Sequence, residues 1–226
     1  MRPAAGFSHN CRMLELGAKL FTAYLLGTLL GSLILGRLRG VDIRSMGSGN
    51  AGATNALRTQ GRLFGFLVLL IDVVKGVIAV RWLPAADFPG IGIDPLLSRE
   101  WLTVACGFAV IVGHVYPVWF EFRGGKGAAT VIGVIAGLEL RLLVPLLLSW
   151  IIVLLLSGYV GLATMLSTVA LFATVIVLEP GNVPLCTFCG AVAAFVIFTH
   201  RSNIARMRAG NENRVRRLWL FRSRAA

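Results

Sequence analysis

The sequence predicts an all-α integral membrane protein with seven transmembrane helices, an N-terminus outside the cytoplasm and a cytoplasmic C-terminus. Hydrophobic residues make up 57% of the 226 residues and the mean hydropathy is +0.80, far more apolar than a typical soluble domain. The apolar residues recur in runs along the chain, so one signal peptide or anchor does not account for them. Lys and Arg outnumber Asp and Glu by 22 to 10. Most of these basic residues flank the apolar runs or follow the last one, which favours loops facing anionic lipid over a nucleic-acid partner.

The short run at 127–140 decides the number of spans. The other runs approach the roughly 20 residues that cross a hydrocarbon core of about 30 Å, whereas this one rises only about 21 Å as a helix. If it crosses, the basic segments 37–62, 121–126 and 201–224 lie on one side of the membrane, as the positive-inside rule predicts. The seven predicted spans are 20–36, 63–83, 102–120, 127–140, 142–156, 160–178 and 183–199. The predicted divisions are an extracytoplasmic leader at 1–19, whose order stays open, a seven-helix domain at 20–200 and a basic cytoplasmic tail at 201–226.

Charged and small residues inside the runs are interpreted first as structural. Asp72 and Lys75 are expected to pair, because each charge would cost about 2.5 to 3.5 kcal/mol at the bilayer centre if unpaired, although a functional relay also fits. His114 is interpreted as an ordinary histidine at the end of a span. Gly133 and Gly137 are expected to permit close helix packing.

Two glycine-rich segments are candidate anion sites. GSGNAGATN at 47–55 contains a formal G-x-G-x-x-G, but no strand precedes it, which argues against a dinucleotide fold. RGGKGAAT at 123–130 lacks the Ser or Thr of a nucleotide-binding loop after its Lys. Successive glycine amides beside cations can still bind phosphate, and two such segments suggest two phosphate groups. The predicted phosphate-binding residues are Gly47, Gly49, Asn50, Arg58, Gly124, Gly125, Lys126 and Gly127.

The predicted topology places four polar segments on the same membrane face. Besides the two glycine loops, these are SGYVG at 157–161 and THRSNIARMRAGNE at 199–212. His200 and Asn203 are three residues apart and therefore share one face of a helix. The sequence predicts that these segments contribute to a single site.

Five sequence blocks, in order, cover nearly the whole chain after the leader. They are GSGNAGATNALR, IDVVKG, GHVYPVWFEFRGGKGAAT, SGYVGLATMLS and THRSNIARMRAGNE. Together they resemble the bacterial acyl-phosphate:glycerol-3-phosphate acyltransferases of the PlsY family. The resemblance implies a multi-pass enzyme of the bacterial inner membrane with its active site at the cytoplasmic face.

The resemblance also implies a reaction and its participants. The 1-hydroxyl of glycerol-3-phosphate attacks an acyl phosphate, which yields lysophosphatidic acid and inorganic phosphate. The implied partners are these two substrates and membrane lipid, and neither a cofactor nor a metal is implied. The residues carried over are Ser48, His200 and Asn203 as catalytic, Arg58 and Lys126 as phosphate-binding, and Glu212 as structural, paired with tail arginines. Gly161 stands where some members have Ser, and whether Thr164 replaces that hydroxyl stays open.

Two other functions fit parts of the pattern. A transporter of a phosphorylated metabolite also uses glycine-broken helices and cationic loops, but the halves of this sequence show no convincing inverted repeat. A lipid-binding scaffold with a basic tail leaves the glycine loops unexplained. Within the acyltransferase hypothesis, the general base is either His200 or a phosphate oxygen of the substrate.

Overall fold

The structure is a computed structural model that describes residues 5–215 and residue 220, with side chains described from residue 12 onward. Every regular element in this part of the chain is helical. The chain divides into two compact units, of which the first ends at Leu138 and the second begins at Glu139. Part of the predicted tail, residues 216–219 and 221–226, lies outside the described residues.

Within the described residues, the first unit contains six α-helices. They are α1 Ala5–Gly27, α2 Gly31–Leu38, α3 Ala53–Gln60, α4 Arg62–Arg81, α5 Arg99–Val115 and α6 Ala128–Leu138. Helix α4 packs against α2, α3, α5 and α6, while α1 packs mainly against α5. The unit is therefore organised around α4 and α5.

Helix α1 begins at Ala5, within the segment predicted as a leader, whose order the sequence left open. Hydropathy excluded the polar first half of α1 from the predicted membrane domain. Two charged residues of α1, Glu15 and Lys19, are nevertheless buried together. Glu15 accepts hydrogen bonds from Arg99 at 2.6 and 3.0 Å and from Lys19 at 2.8 Å. Lys19 also donates to the carbonyl oxygen of Pro84 at 2.8 Å. This cluster, called here the Glu15 cluster, fastens α1 to the start of α5.

Glycines allow the closest helix contacts in the first unit. A Cβ atom on Gly133 would lie 2.0 Å from the carbonyl oxygen of Val73. A Cβ on Gly137 would lie 2.3 Å from the Val80 side chain. The predicted packing role of both glycines, where α6 meets α4, is confirmed.

The second unit contains four helices. They are α7 Leu143–Ser157, α8 Val160–Leu178, α9 Val183–Thr199 and α10 Arg201–Arg208. Helix α8 packs against both α7 and α9. One face of α7 leaves Val144, Leu148, Ile151 and Ile152 exposed. A helix with an exposed apolar face of this kind suits a lipid environment.

The described helices supply four to six membrane spans. Four segments are long and apolar enough to cross a bilayer: 62–85, 99–120, 140–157 and 160–178. Two bent pairs would each make one further span, α1 with α2 at 47° and α9 with α10 at 51°. The predicted all-α membrane fold is thus supported at this level of detail. The remaining predicted span corresponds to α6, which is apolar but has only 11 residues.

Candidate active site

The first glycine loop is held by a side chain that sequence analysis did not single out. Asn55, which is 2% exposed, lies in the first turn of α3. Its amide nitrogen donates to the carbonyl oxygens of Ile43 at 3.1 Å and Met46 at 2.9 Å. Its amide oxygen accepts the backbone N–H of Ser48 at 2.9 Å. The sequence signal that could have identified Asn55 is an Asn near a helix start, since such a side chain commonly bonds to nearby backbone.

The loop itself projects from this anchor. Gly47 and Gly49 have φ values of 56° and 72°, a conformation that favours glycine. Gly47, Ser48 and Gly49 are exposed, and Asn50 is partly buried. The N–H of Gly49 donates to the carbonyl oxygen of Met46 at 3.0 Å. The amides of Ser48 and Gly49 are therefore engaged with the protein, while the Ser48 side chain lies on an exposed segment.

The second glycine loop packs against the end of α5. The N–H of Gly124 donates to the carbonyl oxygen of Val115 at 3.1 Å, and that of Gly125 donates to His114 at 3.1 Å. A Cβ on Gly124 would lie 2.1 Å from the His114 carbonyl oxygen, and one on Gly125 would lie 2.1 Å from His114 Nε2.

The prediction that the backbone amides of Gly124 and Gly125 bind an anion needs correction. Gly124 and Gly125 are small because backbone and a histidine ring lie against them, so packing explains them. Together with Gly49, their N–H groups donate to protein carbonyls in this structure. Gly127 has a φ of 87° and directly precedes α6, which begins at Ala128. Lys126, which lies between Gly125 and Gly127, is partly buried.

The structure brings the flanks of the two glycine loops together within the first unit. Arg44 Nη1, just before the first loop, donates to the carbonyl oxygen of Phe120 at 3.1 Å, just before the second. Phe120 also packs against a buried cluster of Leu30, Leu33 and Ala51. The flanks of these two loops are therefore in contact, while a single site shared by all four polar segments stays a prediction.

An ion pair fixes Arg44 in this position. Asp42 Oδ2 lies 2.8 Å from Arg44 Nη2, and Asp42 Oδ1 accepts the backbone N–H of Arg44 at 2.9 Å. These hydrogen bonds hold the pKa of Asp42 below its ordinary value. A depressed carboxyl pKa means that the pair is intact at neutral pH and is lost as the pH falls through the folded-state pKa. Arg44 is therefore held by Asp42 and by the Phe120 carbonyl oxygen.

Arg58 is the predicted cation nearest to the first loop in sequence. It lies in the last turn of α3, and its side chain is exposed. Asn55, in the first turn of the same helix, holds the loop. Helix α3 therefore fixes the position of Arg58 relative to the loop. Arg58 and Ser48 are thus carried by one short, internally bonded substructure.

The predicted residues of the second unit lie at the junction of α9 and α10. His200 is 5% exposed and stands between the two helices, where they bend by 51°. Its Nδ1 lies 2.8 Å from the carbonyl oxygen of Val196. Since a carbonyl can only accept, Nδ1 carries the proton, and the lone pair of the neutral ring is on Nε2. The ring therefore presents Nε2 as its basic atom.

Asn203 is held by Glu212. Its Nδ2 donates to Glu212 Oε1 at 2.8 Å, and Arg206 Nε donates to Glu212 Oε2 at 2.6 Å. The predicted pairing of Glu212 with a tail arginine is confirmed. A Cβ on Gly161 would lie 2.8 Å from Asn203 Nδ2, so glycine at this position makes room for the amide.

Thr164 does not offer an uncommitted hydroxyl beside Gly161. Its Oγ1 donates to the carbonyl oxygen of Val160 at 2.9 Å and accepts from Trp150 Nε1 at 3.2 Å. The side chain is 5% exposed. The threonine therefore helps to join α7 to α8 in this structure.

The charges inside α4 pair as predicted, and His114 joins them. Lys75 Nζ lies 2.8 Å from Asp72 Oδ1 and 2.9 Å from His114 Nδ1. All three side chains are at most 3% exposed. His114 lies at the end of a span as predicted, and the structure adds that it belongs to a buried polar cluster.

Relatives of this chain identify the family to which these features belong. The family model described as glycerol-3-phosphate acyltransferase matches residues 18–210. The glycerol-3-phosphate acyltransferase of Aquifex aeolicus is 37% identical over 193 residues, which cover 85% of this chain and 95% of that protein. The enzyme of the same name from Geotalea daltonii is 40% identical over 191 residues, which cover 84% and 93%.

Solved structures agree with the sequence relatives. Two crystal structures of PlsY (YgiH), an integral membrane glycerol 3-phosphate acyltransferase, are similar to this chain at 33% identity. The glycerol 3-phosphate form gives a TM-score of 0.75 and the lysophosphatidic acid form 0.74, each covering 88% of this chain and 94% of the other. With matches over most of its length in both sequence and structure, this chain belongs to the glycerol-3-phosphate acyltransferase family.

Proposed function

We propose that this protein transfers an acyl group from an acyl phosphate to the 1-hydroxyl of glycerol-3-phosphate. The products are lysophosphatidic acid and inorganic phosphate. The observation that carries the proposal is the family match over residues 18–210, which spans every predicted site residue but Glu212. The PlsY structures in glycerol 3-phosphate and lysophosphatidic acid forms support the same substrate and product.

The chemistry requires positioning more than a strong nucleophile. An acyl phosphate is a mixed anhydride with a good leaving group. The hydroxyl oxygen forms a bond to the acyl carbon, the bond from that carbon to the phosphate oxygen breaks, and the hydroxyl proton passes to a base. Orientation and charge stabilisation can supply most of the rate in such a reaction.

The roles of the site residues follow from their chemistry. Lys126 and Arg58 bind phosphate oxygens, and the Ser48 hydroxyl orients one of the phosphates. Asn203 donates a hydrogen bond to the attacking hydroxyl or to the developing oxyanion, where one donor is typically worth about 2.7 to 4 kcal/mol. The base is His200 through Nε2 or a phosphate oxygen of the substrate.

The glycines have a different role from that predicted by sequence. Because the Gly49, Gly124 and Gly125 amides already donate to protein carbonyls, the proposal assigns phosphate recognition mainly to side chains. Gly47, Gly127 and Asn50 belong to the same loops and set their backbone course. The loops are then rigid supports that present Ser48 and Lys126.

The proposal includes a membrane orientation. Seven spans, with α6 as the short one, place the N-terminus outside and the basic tail in the cytoplasm. The enzyme then lies in the bacterial inner membrane with its active site at the cytoplasmic face. The distribution of Lys and Arg supports this arrangement.

Purified protein offered glycerol-3-phosphate with either an acyl phosphate or an acyl-CoA tests the function. We expect lysophosphatidic acid and stoichiometric phosphate with the acyl phosphate. A Lys126→Ala variant should lose turnover while the protein still inserts and folds, because the change removes a point charge for phosphate. Product formed with acyl-CoA but not with acyl phosphate would overturn the assignment of acyl phosphate as the donor. Wild-type turnover by Lys126→Ala would overturn the assignment of Lys126 to phosphate binding.

A further inference from the structure

A buried polar cluster in the first unit has no part in the mechanism above. It consists of Asp72, Lys75 and His114, and is called here the Asp72 cluster. We propose that the Asp72 cluster is a positioning device that fixes the glycine loop carrying Lys126. The kinetic part of this proposal rests on the proposed function, whereas its structural part does not.

Lys75 ties α4 to the break between α1 and α2. Its Nζ donates to the carbonyl oxygens of Gly27 at 2.9 Å and Leu29 at 3.0 Å. These carbonyls lie at the break between α1 and α2, where helical hydrogen bonding is interrupted. The same Nζ pairs with Asp72 Oδ1 at 2.8 Å. One ammonium group therefore donates to the carbonyls of a helix break and lies in ion-pair contact with a buried carboxylate.

His114 lies between Lys75 and the second glycine loop. Its Nδ1 lies 2.9 Å from Lys75 Nζ and 3.4 Å from Asp72 Oδ1. On the other side of the ring, the position of a Cβ on Gly125 would be 2.1 Å from Nε2. The Gly125 N–H donates to the His114 carbonyl oxygen at 3.1 Å. The orientation of one imidazole ring thus sets the position of the residue that precedes Lys126.

Close packing makes this contact a constraint rather than a chance approach. Gly124 also lies against the His114 backbone, so neither glycine can accept a Cβ without movement of backbone or ring. If the ring turns, Gly125 must move, and Lys126 moves with it. A buried cluster of charged and polar groups, held by the hydrogen bonds of Lys75 and its ion pair with Asp72, is suited to hold one orientation.

The first unit offers a matched control in the Glu15 cluster. Lys19 is 1% exposed and Lys75 is 3% exposed, and each pairs with a buried carboxylate at 2.8 Å and donates to a backbone carbonyl. Lys75 contacts His114, which packs against the glycine loop. Lys19 instead donates to the carbonyl oxygen of Pro84. Lys19→Met and Lys75→Met therefore make the same side-chain change at two buried ion pairs, although Glu15 keeps its hydrogen bonds from Arg99 when Lys19 is lost.

Hydrogen–deuterium exchange of the peptide that covers 121–127 tests the structural part. In Lys75→Met we expect the Gly124 and Gly125 amides to exchange at least about tenfold faster than in wild type, because local opening becomes easier. In Lys19→Met we expect wild-type exchange there. Equal exchange in Lys75→Met and wild type, or equal acceleration in both variants, would overturn the proposal.

Two further variants keep the test decisive if Lys75→Met does not fold. Asp72→Asn preserves shape but removes the charge, and Gly125→Ala disturbs the same contact from the loop side. Both should accelerate exchange in 121–127. If each folds and exchanges like wild type, the Asp72 cluster does not position the loop.

Kinetics separate positioning from general stability. For Asp72→Asn we expect the KM for a phosphate-bearing substrate to rise about tenfold or more at a temperature where the protein remains folded. Lys19→Met should lower the melting temperature with wild-type KM values. An unchanged KM in Asp72→Asn would contradict the kinetic part. If wild type itself showed no acyl transfer, the proposed function would fail while the exchange data still decided the structural part.

Discussion

At the scale of single residues, buried amide side chains hold the segments that carry the proposed catalytic groups. Asn55 joins three backbone groups around the first loop, and Asn203 is bound to Glu212 next to His200. An amide can donate and accept at once, so one side chain can replace several missing backbone partners. Changes at such positions should therefore alter geometry without altering charge.

Replacing Asn55 with Ala should loosen the first loop. The change removes three hydrogen bonds and leaves buried backbone groups without their partners, which we expect to cost about 2 to 3 kcal/mol. Thermal unfolding in detergent should show a lower melting temperature, and acyl transfer should fall with it. Thr59→Val is the control, because the Thr59 hydroxyl bonds to the Asn55 carbonyl within the same helix. Wild-type stability and activity in Asn55→Ala would contradict the anchoring role.

Gly161→Ser should impair turnover, because glycine makes room for Asn203 at this position. A Cβ at Gly161 would lie 2.8 Å from Asn203 Nδ2 and 2.9 Å from its Cγ. Asn203 would then have to move relative to Glu212, and we expect kcat to fall about tenfold. Gly181→Ser is the control in the same unit, because a Cβ there meets nothing within 4 Å. A Gly161→Ser variant as active as wild type would show that the added hydroxyl compensates.

At the scale of helices, contacts between α4 and α6 depend on the absence of side chains. The sequence predicted this role for Gly133 and Gly137 because small residues let helices approach in a membrane. It did not predict which neighbour each glycine meets. Gly133 lies against backbone and Gly137 against a side chain, and these neighbours differ in their ability to move.

Gly133→Ala should therefore destabilise the protein more than Gly137→Ala. The new methyl on Gly133 would meet the Val73 carbonyl oxygen at 2.0 Å, and the backbone cannot retreat without shifting a helix. Overpacking of this kind typically costs about 1 to 3 kcal/mol. At Gly137 the Val80 side chain can adjust. Melting temperatures of both variants measure the difference, with Gly17→Ala as the unhindered helical control. An equal loss at both positions would contradict this account.

Hydropathy predicted most helices but not their interruptions or polar extensions. It predicted one helix at 20–36, whereas the structure has α1 to Gly27 and α2 from Gly31. Lys75 donates to the Gly27 and Leu29 carbonyls at that break, a contact between segments distant in sequence that hydropathy cannot detect. It also excluded the first half of α1, because its charged residues count as polar even when they pair inside the fold.

At the scale of the whole molecule, the sequence indicated the membrane class and the family, but not the local geometry of the residues proposed for the site. Glycine followed by a cation suggested phosphate-binding amides, while the structure shows that Gly124 and Gly125 are close-packed against His114. Glycine serves both purposes, and only the positions of neighbouring atoms distinguish them. Asp72 and Lys75 were expected to pair, but the third member comes from another helix and a periodic pattern does not reveal it.

The parity of membrane crossings gives the last prediction. If α6 crosses, the number of spans is odd and the termini lie on opposite sides. If α6 does not cross, six spans place both termini on one side, and the Arg-rich end would share a compartment with the N-terminus. Reporter fusions at each end distinguish these arrangements. We expect a C-terminal green fluorescent protein to fluoresce and a C-terminal alkaline phosphatase to be inactive, because the tail is cytoplasmic. Alkaline phosphatase joined behind residue 90, in the loop between α4 and α5, should be active. The opposite pattern at the C-terminus would leave the basic tail outside and would contradict both the seven-span count and a cytoplasmic active site.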